Sequence, residues 1–238
     1  MERRKRICIF GESPLVEEYA ALCLNKGYEV QVRLNDVRRI AKPNRACDIA
    51  LELTNIAIES KKKNLIELDK VLAPKVPLIS SSVCVTVAEQ SGWLKHAGRL
   101  VGIGALPSLL GNGLIELARS SSTNEITLTA AQEFAKTLGK ESAVVQDSVG
   151  LVLPRVLCSL INETCFAMME GVATGRDIDT AMKLGTNYPY GPIEWAERIG
   201  VRHVHAVMRA LHEGFGEDRY RVSPLLKRAS ISGVLPIS

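Results

Sequence analysis

The amino-acid sequence predicts an α/β doubly wound sheet domain over residues 1–149, followed by a smaller all-α domain over residues 150–238. Three observations point there. The chain opens with a strand–helix–strand unit, and such a unit leads to a parallel sheet. Apolar runs of strand length then alternate with helical segments as far as Gln146. From Gly150 onward only helical patterns remain, punctuated by Gly185, Gly191, Gly200 and Gly214.

Each element has a local reason. Arg6 to Phe10 is a short apolar run ending at Gly11, as buried parallel strands do. Pro14 suits the first turn of a helix, whose apolar face is Val16, Tyr19, Ala20 and Leu24. Asn25 to Gly27 stop it, and Tyr28 to Leu34 reads as the next strand. Further strands are expected at Cys47–Leu53, Val76–Ser80, Arg99–Ile103, Leu114–Leu117 and Ser142–Gln146. Helices are expected at Lys61–Leu72, Thr86–His96 and Ala130–Leu138. In the second domain Leu151–Val172 is apolar almost all round and is expected to be buried, with a partner chain as its second surface. Shorter helices follow at Asp177–Leu184, Pro192–Ile199, Val201–Phe215 and Pro224–Ile231.

Composition narrows the function classes. Hydrophobic residues make up 46% and charged residues 24% of 238, enough for a core and contrary to disorder. The net charge of +4 is partly Arg3, Arg4, Lys5 and Arg6, which read as a solvated face. With aromatics at 5%, no basic, aromatic-laced stripe for nucleic acid is present. The six cysteines form no CxxC pair and lie mostly in apolar runs, so they read as reduced core residues of a cytoplasmic protein. Ile7 to Phe10 is far too short for a signal sequence, and no run approaches a membrane span.

Several short strings occur in one register. Gly139-Lys140 is followed by Ala143 through Gly150, with Asp147 inside the run. Asn162-Glu163, Glu170 to Ala173 and Ile178 to Met182 come next, then Gly185, Pro189, Gly191 and Pro192, then Gly200-Val201. In this order and spacing the chain resembles the 3-hydroxyacyl-CoA dehydrogenase family over about a hundred residues. The first half is similar more loosely, through Asp48–Glu52, Lys61, Ser81-Ser82, Arg99–Gly102 and Glu116. The segment between Asn35 and Cys47 is short for the family, which removes part of the expected CoA surface.

The resemblance implies a Rossmann-like first domain that binds NAD at the strand carboxyl ends. It implies oxidation of a 3-hydroxyacyl-CoA to the 3-oxoacyl-CoA, and a homodimer formed through the helical domain, with an acyl-CoA ligand. The chemistry needs a base for the hydroxyl proton, a carboxylate that orients it, polar groups on the substrate oxygen, and a glycine-rich turn for the pyrophosphate. The family's GxGxxG turn is here Gly11-Glu12-Ser13-Pro14-Leu15-Val16. Its cofactor-binding positions would be Gly11 and Ser13, with Lys61 near the ligand. The acidic residue expected at the end of the second strand falls on Leu34, with Asn35 or Asp36 as substitutes. The plainer reading of Lys61, Lys62 and Lys63 is a solvated helix start.

The catalytic positions are altered as well. The family's histidine position is Gly104, while its carboxylate partner, twelve residues on, is retained as Glu116. The orienting asparagine falls on Pro154, followed by Arg155. Ser81 and Ser82 are alternative counterparts of the serine that contacts the substrate oxygen. His96, His203, His205 and His212 read as surface or core imidazoles, and no metal site is expected. Three functions remain open from sequence. One is a dehydrogenase that uses Glu116 as its base. Another is a non-catalytic dimer, acyl-CoA-binding or regulatory, on the same scaffold. The third is a related β-hydroxyacid dehydrogenase, against which the glycine–proline string argues.

Overall fold

The computed structural model describes residues 4–35 and 46–235. These residues form two compact units, one ending at Leu151 and the other beginning at Val152. The first unit is a seven-stranded sheet. Its strands are β1 (Arg6–Gly11), β2 (Glu29–Leu34), β3 (Ile49–Leu53), β4 (Leu78–Ser81), β5 (Leu100–Ile103), β6 (Leu114–Ala118) and β7 (Glu141–Val145). Their spatial order is β2-β1-β3-β4-β5-β6-β7. Strands β1 to β5 run parallel, β6 lies antiparallel to β5, and β7 runs parallel to β6. The chain leaves β1 toward one edge and then crosses back to place β3 on its other side. That reversal opens a crevice at the carboxyl ends of β1 and β3.

Helices α1 (Leu15–Asn25), α2 (Ile58–Val71), α3 (Val87–Ser91) and α4 (Glu125–Thr137) belong to this unit. The two-residue period of the strands feeds two cores. Ile7, Ile9, Leu51, Ile79, Val101 and Leu117 pack with Val16 and Tyr19 of α1 and with Phe134 of α4. Cys8, Phe10, Ala50, Leu78 and Leu100 pack on the opposite face with Leu65 and Leu68 of α2. Burial on both faces explains why the strands read as continuous apolar runs.

The helices expected at Ala130–Leu138 and Lys61–Leu72 begin earlier, at Glu125 and Ile58, and two others are shorter than expected. The helix expected over Thr86–His96 ends at Ser91, because Gly92 follows and the chain turns into a short 3-10 segment at Ala97–Arg99. The carboxylate of Asp147 caps α3, accepting the N–H groups of Val87 and Ala88 at 2.8 Å each. The long helix expected over Leu151–Val172 spans only Leu153–Met169 (α5). Gly150 and Leu151 have left-handed φ of 81° and 48°, and Gly171 has 71°, so both ends are bounded by backbone that a helix does not adopt. Its apolarity does not mean burial all round within the chain. Leu157, Cys158, Ile161 and Cys165 are buried, whereas Val152 just before it and Val156 within it are exposed.

The second unit comprises α5 with α6 (Gly175–Thr186), α7 (Pro192–Ile199), α8 (Val201–Phe215) and α9 (Pro224–Ser232). The glycine–proline string of the sequence is a helix junction. Asp179 of α6 accepts the N–H groups of Ile193 at 2.8 Å and Glu194 at 3.1 Å, and so caps α7. A Cβ on Gly191 would lie 2.3 Å from the Asp179 carboxyl carbon. Gly191→Ala is therefore expected to cost about 1–3 kcal/mol, because it displaces the cap. Gly185→Ala, where a Cβ meets nothing, is its control. Urea denaturation of both variants checks this, and equal midpoints would dismiss the cap as a constraint.

Candidate functional site

The antiparallel β5–β6 pair brings the altered catalytic positions together. The register Gly102↔Ala118 and Ile103↔Leu117 continues to Gly104, whose N–H donates to the carbonyl of Glu116 at 2.9 Å. The twelve-residue spacing is thus a cross-strand neighbour relation. A Cβ at position 104 would meet the Glu116 Cβ at 3.2 Å, its Oε2 at 3.3 Å and the Leu151 Cδ1 at 3.3 Å. A side chain at this position would press on Glu116 and Leu151, which would have to give by a few tenths of an ångström. A carboxylate is retained there, but no imidazole lies at this position for it to orient.

Next to this pair lies a polar cluster. The Ser81 hydroxyl donates to Asn55 Oδ1 at 2.6 Å, and Asn55 Nδ2 donates to the carbonyl of Ala105 at 2.8 Å. The loop that carries Ala105 is fastened from outside, since Ser108 N–H donates to the Glu18 carboxylate of α1 at 3.0 and 3.1 Å. This separates the two serine candidates. Ser81 belongs to the cluster beside Gly104. Ser82 does not, because its hydroxyl is buried without a hydrogen-bond partner, under Gly102, where a Cβ would come within 2.3 Å of it. Asn55 was not foreseen from the sequence. Its only signal there was an amide side chain just beyond the carboxyl end of an apolar strand.

Pro154 sits in the first turn of α5 and carries no amide to orient a substrate. Arg155 is engaged within the helical unit: its Nε donates to the Tyr220 hydroxyl at 2.9 Å, and its guanidinium lies 4.5 Å from the Phe215 ring centre. His203 is buried in α8, and burial pulls its pKa down to about 4. No group of three or more metal-ligating side chains gathers among the described residues. Likewise, no helix among them is long and apolar enough to cross a membrane.

At the crevice between β1 and β3 the cofactor positions divide. Gly11 is required where it stands: its φ is 147°, and a Cβ would lie 2.6 Å from the Leu53 backbone. Ser13 is exposed on the turn. Asn35 donates to Thr54 Oγ1 at 2.9 Å and accepts from Asn64 Nδ2 at 2.8 Å. Asp36 lies outside the described residues.

Lys61 corrects the plainer sequence reading: it is not a solvated helix start. It is 1% exposed, donates to the equally buried Glu52 carboxylate, and donates to the Thr54 carbonyl at 3.0 Å. Lys61, Leu65, Leu68 and Leu72 share the buried stripe of α2, which carries Lys61 inward. Lys62 and Lys63 are exposed as expected.

Glu12 folds across the crevice, and its carboxylate accepts the N–H groups of Asn55 at 2.7 Å and Ile56 at 3.0 Å. Burial holds this carboxyl above the usual carboxylate range, against the opposing pull of those backbone donors. Pro14, at the N-cap of α1, offers no N–H. Val16, at the family's third glycine position, is fully buried between helix and strand. The turn thus presents a carboxylate, and no N–H from Pro14, where the resemblance implies a pyrophosphate.

Comparison with known proteins places the chain. The family model of the 3-hydroxyacyl-CoA dehydrogenase NAD binding domain matches residues 16–148, and that of the C-terminal domain matches residues 150–236. The chain belongs to the 3-hydroxyacyl-CoA dehydrogenase family. A 3-hydroxybutyryl-CoA dehydrogenase of Bradyrhizobium diazoefficiens is 34% identical over 189 residues, which are 79% of this chain and 64% of that protein. The chain therefore spans under two thirds of that relative's length. Among solved structures, (S)-3-hydroxybutyryl-CoA dehydrogenase from Ralstonia eutropha superposes with a TM-score of 0.81 at 24% identity, over 97% of this chain and 95% of that one. FadB2 of M. tuberculosis gives 0.84 at 20% identity, over 98% and 95% respectively. At those identities the two structures establish the shared fold. The matched N-terminal model is an NAD binding domain, and Gly104, Ser13 and Val16 stand where the resemblance implies a histidine and two glycines.

Proposed function

We propose that this family member keeps the 3-hydroxyacyl-CoA dehydrogenase scaffold without its full chemistry, and serves as a dimeric acyl-CoA-binding or regulatory protein. One observation carries the reading. Position 104 has no base, and a side chain added there would press on Glu116 and Leu151. Loss of a positioned base lowers a rate by about 10²–10⁴-fold. The dimer rests on the helical unit, where Val156, Val172, Leu184 and Ile231 are all more than half exposed.

Purified full-length protein given NADH and acetoacetyl-CoA tests the proposal. No turnover is expected above the background of an equal amount of heat-inactivated protein. Turnover on the order of 10 s⁻¹, ordinary for an enzyme, would sink it.

A second reading is favoured by the retained Glu116: the carboxylate itself acts as base beside the Ser81–Asn55 cluster. If slow turnover is seen, Glu116→Gln abolishes it under this reading. An equally active Gln variant excludes it.

A further inference from the structure

We infer that Glu12 is a built-in occupant of the β1–β3 crevice and closes it to anionic dinucleotides. This goes beyond the missing base, because a chain without a base can still bind a cofactor.

The contact is fixed from three sides. Gly11 has its backbone against that of Leu53, so β1 and the end of β3 are held at their closest approach. The Glu12 N–H then donates to the Leu53 carbonyl at 3.4 Å. Finally its carboxylate takes the N–H groups of Asn55 and Ile56, immediately before α2. Ala57, the N-cap of α2, has no side chain to accept the first helical N–H groups. The Glu12 carboxylate binds the two N–H groups just ahead of it, so its negative charge lies near the positive end of a 14-residue helix.

These are the features that would draw an anion to this crevice, and an internal carboxylate already uses them. An incoming pyrophosphate would meet a like charge and would have to free the turn from α2. The turn offers little in exchange, since Pro14 has no N–H and Val16 seals the helix onto the strand. A mere cap predicts that removing Glu12 lowers stability and does nothing else. An occupant predicts in addition that its removal opens the crevice.

The experiment is calorimetric titration of NADH into the full-length protein and its Glu12→Ala and Glu12→Gln variants. Glu12→Gln keeps an acceptor for the two N–H groups while removing the charge, so it serves if Glu12→Ala fails to fold. The expected result is NADH binding at least about tenfold tighter in a folded variant than in the wild type. Two results would overturn the inference: micromolar binding by the wild type, or folded variants that bind NADH no better than the wild type. Neither result is a turnover measurement, so this outcome stands apart from that of the proposed function.

Discussion

Replacing Lys61 with Ala is expected to lower the unfolding free energy by about 3–5 kcal/mol, the range for stripping one partner from a buried ion pair. Lys61 and Glu52 are each 1% exposed, and neither can recover water as a partner without local opening. The pair is the centre of a larger network. Glu52 also accepts from the Thr54 hydroxyl and from Asn64 Nδ2 at 3.2 Å. Asn64 Oδ1 in turn accepts from Arg33 Nη2 at 2.8 Å, and Arg33 is paired with Glu67 at 2.7 Å. The loss therefore comes mostly from an uncompensated carboxylate, more than from a missing attraction. A double variant, Lys61→Met with Glu52→Gln, should lose less than the sum of its singles. Urea denaturation at neutral pH measures all of them. Strictly additive losses would show that the two side chains do not depend on each other.

Arg99→Ala is expected to be as damaging, again by about 3–5 kcal/mol. Arg99 is 2% exposed and grips Asp69 through Nε at 3.1 Å and Nη2 at 2.7 Å. The same guanidinium donates to the carbonyls of Asp69 and Ala73, at 2.7 Å each, where α2 ends. Arg99→Lys should be nearly as harmful, because one ammonium cannot reproduce this fork. The loss should also depend on pH. Burial opposes the charge on Asp69, but hydrogen bonds from Arg99 and from the Lys95 N–H outweigh it, and its carboxyl lies below the usual range. A depressed carboxyl stabilises the fold above its unfolded pKa, and that contribution disappears as pH falls through the folded value. The gap between wild type and Arg99→Ala should therefore be widest near neutrality and should narrow in acid. A gap that stays constant from neutral pH into acid would remove Asp69 from the explanation.

Both predictions concern residues that hold α2 against the sheet. The turn occupied by Glu12 sits at the start of that same helix. A variant that loosens α2 could therefore mimic the opening of the crevice. For this reason the folded state of each Glu12 variant has to be checked alongside its NADH titration.

The sequence by itself determined the order of strands and helices, the change of texture near Gly150, and the family. These features are local or depend on spacing. Strands buried on both faces read as apolar runs, helices repeat their apolar residues at the helical period, and a histidine is either present at position 104 or absent. The Gly104–Glu116 relation came from the family resemblance, and the antiparallel β5–β6 register accounts for it.

Only the tertiary structure decided what the polar residues touch. Nothing in a run of three lysines distinguishes Lys61 from Lys62 and Lys63, except that Lys61 shares the buried stripe of α2 with Leu65 and Leu68. Its partner Glu52 lies on a different element, and so does the Asp69 that holds Arg99. Glu12 was visible as an acid in a turn that ordinarily meets phosphate, but Asn55 and Ile56, 43 and 44 residues away, decide where its carboxylate rests. Hydrogen bonds between loops from separate crossovers have no period and no fixed offset. They become determined only when the sheet brings the carboxyl ends of its strands together.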